Sequence, residues 1–311
     1  MNEMIANMIQ VMALLAIGRI LNTKAIINEE TAAGIRKLII NLTLPAVLFL
    51  SFVNLQLSSR YFLLFIIVFL MHSLFLGAGL LLNRIKALHH PLVPFFCSGC
   101  AFGFIGIPFF LAVYGLEEMG QFAVLGVGHE FYLWMFLFPG FHMIYRQEKM
   151  SLAKSLNTLK SPVLMAIGAG ILFNGLQLDS LLAPFTLYKG LFLSVEALAS
   201  LTTPLILLMI GYGILLNTTY LKESLKLIAL RLVIVFGLGY AVKALVINQL
   251  IAPNPVFNHA FFTFLVLPPP LVIPIFVNTL LSEEQGELAS SAITLHTLIS
   301  IGLYMIVVIF R

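Results

Sequence analysis

Apolar runs of 18 or more residues recur along the chain, separated by short clusters rich in Lys, Arg, Glu, Asn, Pro and Gly. Such runs predict helices that cross a bilayer. They lie near 4–21, 33–55, 61–82, 92–115, 121–145, 161–178, 188–216, 225–249, 258–281 and 287–310. The pattern therefore predicts an all-α integral membrane protein with ten transmembrane helices.

Composition sharpens this reading. Of 311 residues, 60% are hydrophobic and 10% charged, with a mean hydropathy of +1.05. Soluble domains carry about 25% charge. Ten spans of roughly 20 residues take up about two-thirds of the chain, leaving short loops and no room for a soluble domain. The net charge of +4 is spread through those loops and forms no basic face of the kind nucleic acid requires, so no nucleic-acid partner is expected. The first run follows Glu3 and precedes Arg19, the reverse of a secretory signal, and is expected to be retained as a span. Cys97 and Cys100 stand in an apolar CxxC without the context of a redox motif and read as small packing residues.

Basic residues favour cytoplasmic loops. With both termini outside the cytoplasm, the inward connections hold Arg19, Lys24, Arg36, Lys37, Arg84, Lys86, Arg146, Lys149, Lys154, Lys160, Lys222, Lys226 and Arg231. The outward side then holds Arg60, Lys189, Lys243 and Arg311. That is 13 of the 17 basic residues against four. The expected location is the cell membrane (plasma membrane, or bacterial inner membrane), crossed many times.

The two halves resemble each other once per predicted helix, in the same order. Ala16-Ile17-Gly18 matches Ala166-Ile167-Gly168. Leu42-Thr43-Leu44-Pro45 matches Leu201-Thr202-Thr203-Pro204. Gly77-Ala78-Gly79 matches Gly237-Leu238-Gly239, and Ile107-Pro108-Phe109-Phe110 matches Ile273-Pro274-Ile275-Phe276. Finally, His129 matches His296. This predicts a repeat over residues 1–150 and 151–311. A five-helix repeat, being odd, inserts its two copies with opposite topology. Inverted repeats of this kind build secondary transporters whose substrate site lies between them at the midplane.

Proline breaks that site's helices. Span four contains Cys100-Ala101-Phe102-Gly103-Phe104-Ile105-Gly106-Ile107-Pro108, and span nine contains Pro268-Pro269-Pro270-Leu271-Val272-Ile273-Pro274. Proline removes a helical hydrogen bond and clashes with the preceding turn. Carbonyls freed in lipid must face protein or a watery cavity. The half-helix ends so created suit ions, and Gly99, Gly103 and Gly106 would let the two broken helices cross closely.

The stretch Ala16-Ile17-Gly18-Arg19, continuing through Asn28-Glu29-Glu30 to Asn41-Leu42-Thr43-Leu44-Pro45-Ala46-Val47-Leu48-Phe49, resembles the auxin efflux carrier family. So does Gly103-Phe104-Ile105-Gly106-Ile107-Pro108. The resemblance covers essentially the whole chain, including the bacterial permeases for malate- or malonate-like acids. It implies ten helices in two inverted repeats, with broken, crossing helices 4 and 9, and export of a small organic anion. The candidate substrate site is then Cys100, Ala101, Phe102, Gly103, Gly106, Pro108, Pro268, Pro269, Pro270, Val272 and Pro274. The family often carries Asn where this chain has Ala101 and Val272, which points to a more apolar or differently held ligand.

Polar groups at membrane depth are rare and usually functional. Glu130 beside His129, and its repeat mate His296, are candidates for proton coupling, with a structural hydrogen bond as the alternative. Glu196 and Lys189 are expected to form a wet salt bridge, and His72 to be a packing histidine. Asn41, Thr43, Thr202 and Thr203 flank matched prolines, where they either repair freed carbonyls or touch ligand. No P-loop, HExxH or G-x-S-x-G motif occurs, so neither an enzyme, a metal site nor a cofactor is expected. The resulting expectation is a secondary transporter of a small organic anion. Its alternatives are a sodium- or proton-coupled transporter of another inverted-repeat family and a transport-inactive membrane sensor. Proton or sodium coupling and a homodimer stay open.

Overall fold

A computed structural model describes all residues except 1, 56–58, 147–160, 215–217, 253 and 310–311. Lys149, Lys154, Lys160 and Arg311, counted above for orientation, lie outside the described residues. The described chain is 84% helical, with no strand among those residues. Among the described residues six helices are long and apolar enough to cross a membrane: Glu29–Val53, Arg60–Leu82, Met119–Tyr145, Thr186–Gly213, Leu221–Leu250 and Glu283–Val308. Four shorter apolar helices accompany them, Ile9–Thr23, Phe102–Tyr114, Pro162–Gly175 and Pro255–Val266. These helices also display large apolar side chains outward, such as Leu187, Val233 and Leu245, each more than two-thirds exposed. Water would penalise that surface and lipid does not. The protein is membrane-embedded and multi-pass.

The chain divides into two compact units. The first comprises Met1–Ser59, Gly103–Val124 and Asn157–Ile214. Its most extensive helix pairings join Asn2–Thr23 to Thr202–Gly213, and Pro162–Gly175 to Leu44–Val53. Small residues set both contacts. A Cβ on Gly18 would overlap the carbonyl of Leu208, and one on Gly211 would overlap the carbonyl of Leu15. In the other pair, a Cβ on Gly170 would lie 2.7 Å from the Phe49 carbonyl oxygen. Gly168, by contrast, faces open space. Each pair is also tied by an asparagine. Asn22 Nδ2 donates to the Tyr212 carbonyl at 2.8 Å, and Asn174 Nδ2 donates to the Phe52 carbonyl at 2.8 Å and to that of Leu55. With no hydrophobic drive between helices in lipid, close backbone approach and such polar ties carry the association.

The second unit comprises Arg60–Phe102, Leu125–Leu156 and Leu215–Arg311. Two of its helices are interrupted where the sequence places its prolines and glycines. A short Val93–Phe96 helix ends before irregular residues Cys97–Ala101, after which helix resumes at Phe102. Pro255–Val266 ends before Leu267–Val272, and helix resumes as Ile273–Leu280.

Three expectations are corrected here. Arg231 is not in a connection. It sits ten residues into the helix that begins at Leu221 and is 1% exposed, so it drops out of the orientation count. The glycine that meets span nine is Gly99 (φ 75°), where an added Cβ would lie 3.2 Å from Pro270 Cγ. Gly103 packs against Leu44 instead. Glu196 and Lys189 are both exposed and make no ion pair.

Candidate functional site

Within the second unit the two interruptions touch. The backbone N–H of Ala101 donates to the Pro268 carbonyl at 2.8 Å, and Gly99 abuts Pro270. Each partner follows from the local sequence. Prolines at 268–270 cannot continue the helix, so the chain runs irregularly from Leu267 to Val272 and the Pro268 carbonyl is left for a donor from another segment. The positive φ of Gly99 turns the facing strand of backbone so that it can approach.

Arg231 holds the same place from the other side. Its guanidinium donates through Nη1 to the Phe96 carbonyl and through Nη2 to the Leu267 carbonyl at 2.9 Å. Phe96 is the last helical residue before one interruption and Leu267 is the cap that follows Val266 at the other, so both carbonyls lie where the half-helices present their negative ends. One buried cation thus caps both broken helices. Its Nε–H has no partner, and no carboxylate pairs with it among the described residues. Residue counting missed it because Arg231 lies close to Lys222 and Lys226. The apolar run Leu227-Ile228-Ala229-Leu230 before it and Leu232-Val233-Ile234-Val235 after it was the available signal.

The matched histidines differ. His129, fully buried, accepts the Cys100 N–H through Nε2 at 2.8 Å. That leaves Nδ1 as the ring's donor, 3.4 Å from Glu130 Oε1 but not aligned for a hydrogen bond. Glu130, one-seventh exposed at its side chain, receives the Trp134 indole N–H at 3.0 Å. His296 is also fully buried, yet neither ring nitrogen has a partner. His129 meets a break that still has N–H groups to give, whereas Pro268, Pro269 and Pro270 in the other break have none.

His72 completes the surroundings of His129, its Nδ1 bound to the Val68 carbonyl at 2.9 Å and its ring 5.0 Å away. His72, Cys100 and His129 bring potential ligand atoms within 4.8 Å of one another. They are the group best placed to hold a metal. An ion there would have to take His129 Nε2 from the Cys100 N–H. Cys97 and Cys100 are free and buried, with Cys97 packed where a Cβ on Gly79 would lie 2.8 Å from its own Cβ. A shallow basic cavity of about 530 Å³, lined by Leu80, Asn83, Arg84, Lys86 and His89, lies at the end of the Ser59–Leu82 helix.

Of the predicted site residues, Cys100, Ala101, Phe102, Pro268, Pro269, Pro270, Val272, Pro274, His129, Glu130 and His296 belong to the second unit. Gly103, Gly106, Pro108, Asn41, Thr43, Thr202 and Thr203 belong to the first. There, Asn41 Nδ2 returns to the Lys37 carbonyl of its own helix at 2.7 Å. The Thr43 and Thr202 hydroxyls are buried without partners. No protein-family model and no curated protein matches this chain.

Proposed function

We propose that the protein is a secondary transporter that moves a small organic anion by alternating access, built as two inverted five-helix repeats and kin to the auxin efflux carriers. The observation that carries the reading is the meeting of two interrupted helices in one unit, with a buried cation bound to both ends. Irregular backbone at membrane depth belongs where a ligand is handled, and the sign of the buried charge favours an anion over sodium.

The repeat draws support from the first unit's pairings. Gly18 and Gly170, like Asn22 and Asn174, are 152 positions apart, while their partners Phe49 and Leu208 are 159 apart and Phe52 and Tyr212 are 160 apart. The first helix of each half thus packs on the second helix of the other half through equivalent residues, with Gly170 rather than Gly168 in the register of Gly18. Each compact unit also draws on both halves. The first takes helices one and two with six and seven, a scaffold in this reading, together with the Gly103–Val124 part of four and five, and the second takes three and the rest of four and five with eight, nine and ten. Counted this way the six long and four shorter apolar helices make ten spans.

In this mechanism the crossing holds the anion while access to it alternates between the two sides of the membrane. His129 and Glu130 form the proton-coupling pair. The test is counterflow of labelled carboxylates in proteoliposomes. Pro269→Ala with Pro270→Ala restores helical hydrogen bonding in the break, so the protein should insert and elute as wild type while transport falls to background. In the same vesicles Glu130→Gln, which keeps the shape but carries no titrating proton, should remove the response to an imposed proton gradient. If wild-type vesicles move no carboxylate, the transport-inactive sensor is the better reading.

A further inference from the structure

Two helices and one irregular segment bring three metal-ligating side chains together. His72 stands on the Ser59–Leu82 helix, His129 on the Met119–Tyr132 helix, and Cys100 in the irregular residues before Phe102. All three are buried, at most 2% exposed. One donor atom from each lies within 4.8 Å of the other two. Metal bonds to His and Cys run about 2.0–2.3 Å, which sets the ligand atoms of a trigonal ion roughly 3.5–4 Å apart. The donors thus stand within about 1 Å of ligating distance. They come from three separate segments, so no spacing motif announces them.

The hydrogen bonds already present orient both rings. The Val68 carbonyl can only accept, so His72 Nδ1 carries the proton and Nε2 keeps its lone pair. A ligating histidine is ordinarily held in this way, through its other nitrogen, by a carbonyl or a carboxylate. His129 Nε2 also has a lone pair, which accepts the Cys100 N–H, and Glu130 Oε1 stands 3.4 Å from its Nδ1. An ion would exchange that one neutral hydrogen bond for coordination by Nε2, leaving Nδ1–H to the carboxylate.

We propose that His72, Cys100 and His129 form a binding site for one soft monovalent metal ion, copper(I). Cys100 would bind as the thiolate, its proton leaving to solvent, and thiolate ligands favour copper(I) among the available metals. Charge points the same way. Arg231 acts electrostatically on His72 and Cys100, and Glu130 on His129, so these two fixed charges offset. A monovalent ion on one thiolate then leaves the surroundings neutral, whereas zinc(II) would leave a positive charge away from water. Zinc would also lack its usual fourth ligand, since no other His, Cys, Asp or Glu joins the cluster among the described residues. The rings of Phe75, Phe102, Tyr132 and Phe264 lie against the two imidazoles and make a dry shell. The bound ion would tie both helices to the irregular segment. This inference goes beyond the transport reading and does not rest on it.

The test is copper(I) titration of the full-length protein in detergent, under reductant and without oxygen, against the chelator bicinchoninate. The wild type should retain one copper(I) per chain and show thiolate-to-copper absorption in the ultraviolet. Cys100→Ser, nearly the same size, should weaken binding by more than the roughly 10–100-fold that loss of an orienting partner costs. His72→Phe should do the same, because the bond it gives up lies within its own helix. Cys97→Ser should change neither stoichiometry nor affinity, and an equal concentration of zinc(II) should not displace the copper. If Cys100→Ser does not elute as a folded protein, His72→Phe decides. The proposal is overturned if the wild type yields all its copper to the chelator, or if His72→Phe binds it as tightly as the wild type. Dependence on Cys97, or displacement by zinc, would overturn it as well.

Discussion

At the scale of single residues, the turn after the Ser59–Leu82 helix shows how one side chain can make a loop depend on pH. Asn83 Oδ1 accepts the His90 N–H at 2.8 Å, and His90 Nδ1 accepts the Leu92 N–H at 3.1 Å. Burial of the ring holds His90 below the usual histidine range, with Lys226 and His89 acting the same way and Glu223 opposing them. Protonation of Nδ1 would also turn an acceptor into a donor facing a donor. The unfolded chain therefore takes up this proton at a higher pH than the folded one. The loop's stability is fully present above the ordinary histidine pKa of about 6.5 and falls as pH drops through the lower folded value. Limited proteolysis across residues 83–92 should accelerate on acidification below about pH 6. His90→Asn, whose Oδ1 can accept the Leu92 N–H but does not titrate, should remove that acceleration. Equal acid sensitivity in both proteins would place the switch elsewhere.

The residue scale is also where the sequence was least legible. Pro268 to Pro270 announced a broken helix without any knowledge of packing, because the missing N–H is a property of proline itself. Arg231 and the idle His296 could not be read the same way. Their roles depend on which carbonyls and which absent N–H groups face them, and those are set by chain segments 36 and 135 residues from Arg231. The only advance sign was a charge flanked by four apolar residues on each side.

At the scale of elements, helix pairing in the first unit rests on which glycine points at the neighbour. A motif match pairs Gly18 with Gly168, whereas Gly170 is the glycine that, like Gly18, meets a neighbouring helix's backbone carbonyl. The difference is two residues, more than half a helical turn, and so moves the contact to another face. Sequence similarity in apolar helices carries little information about face, since lipid-facing and protein-facing positions are both apolar. A substitution series separates the two registers. Gly18→Leu and Gly170→Leu each drive a side chain into a neighbouring backbone carbonyl, where overpacking costs on the order of 1–3 kcal/mol or more. Gly168→Leu adds apolar surface in open space and should be tolerated. Size-exclusion profiles of the three tagged variants from solubilised membranes would read this directly. A sharp folded peak for Gly170→Leu, or its loss for Gly168→Leu, would reverse the assignment.

At the scale of the whole molecule, parity and charge govern how the chain enters the membrane. If each half contains five spans, the two halves enter the membrane with opposite sense and the chain's ends share one side. If each contained four or six, the halves would run the same way, and equivalent packing between helix one and seven and between six and two would need a different symmetry. The basic residues decide which side the ends occupy. Moving Arg231 from loop to helix interior leaves twelve basic residues on the side proposed to face inward against four, so the bias behind the proposed orientation persists. Single cysteines can test this in intact cells with a membrane-impermeant maleimide, because the native Cys97 and Cys100 are buried and should stay silent. A cysteine inserted after Asn2 and another before Arg311 should both react from outside, whereas one beside Lys154 should react only after permeabilisation. Opposite accessibility of the two termini would make the number of spans odd and dismantle the five-plus-five repeat. Protection of both termini, with labelling beside Lys154, would keep the repeat and invert the whole protein in the membrane.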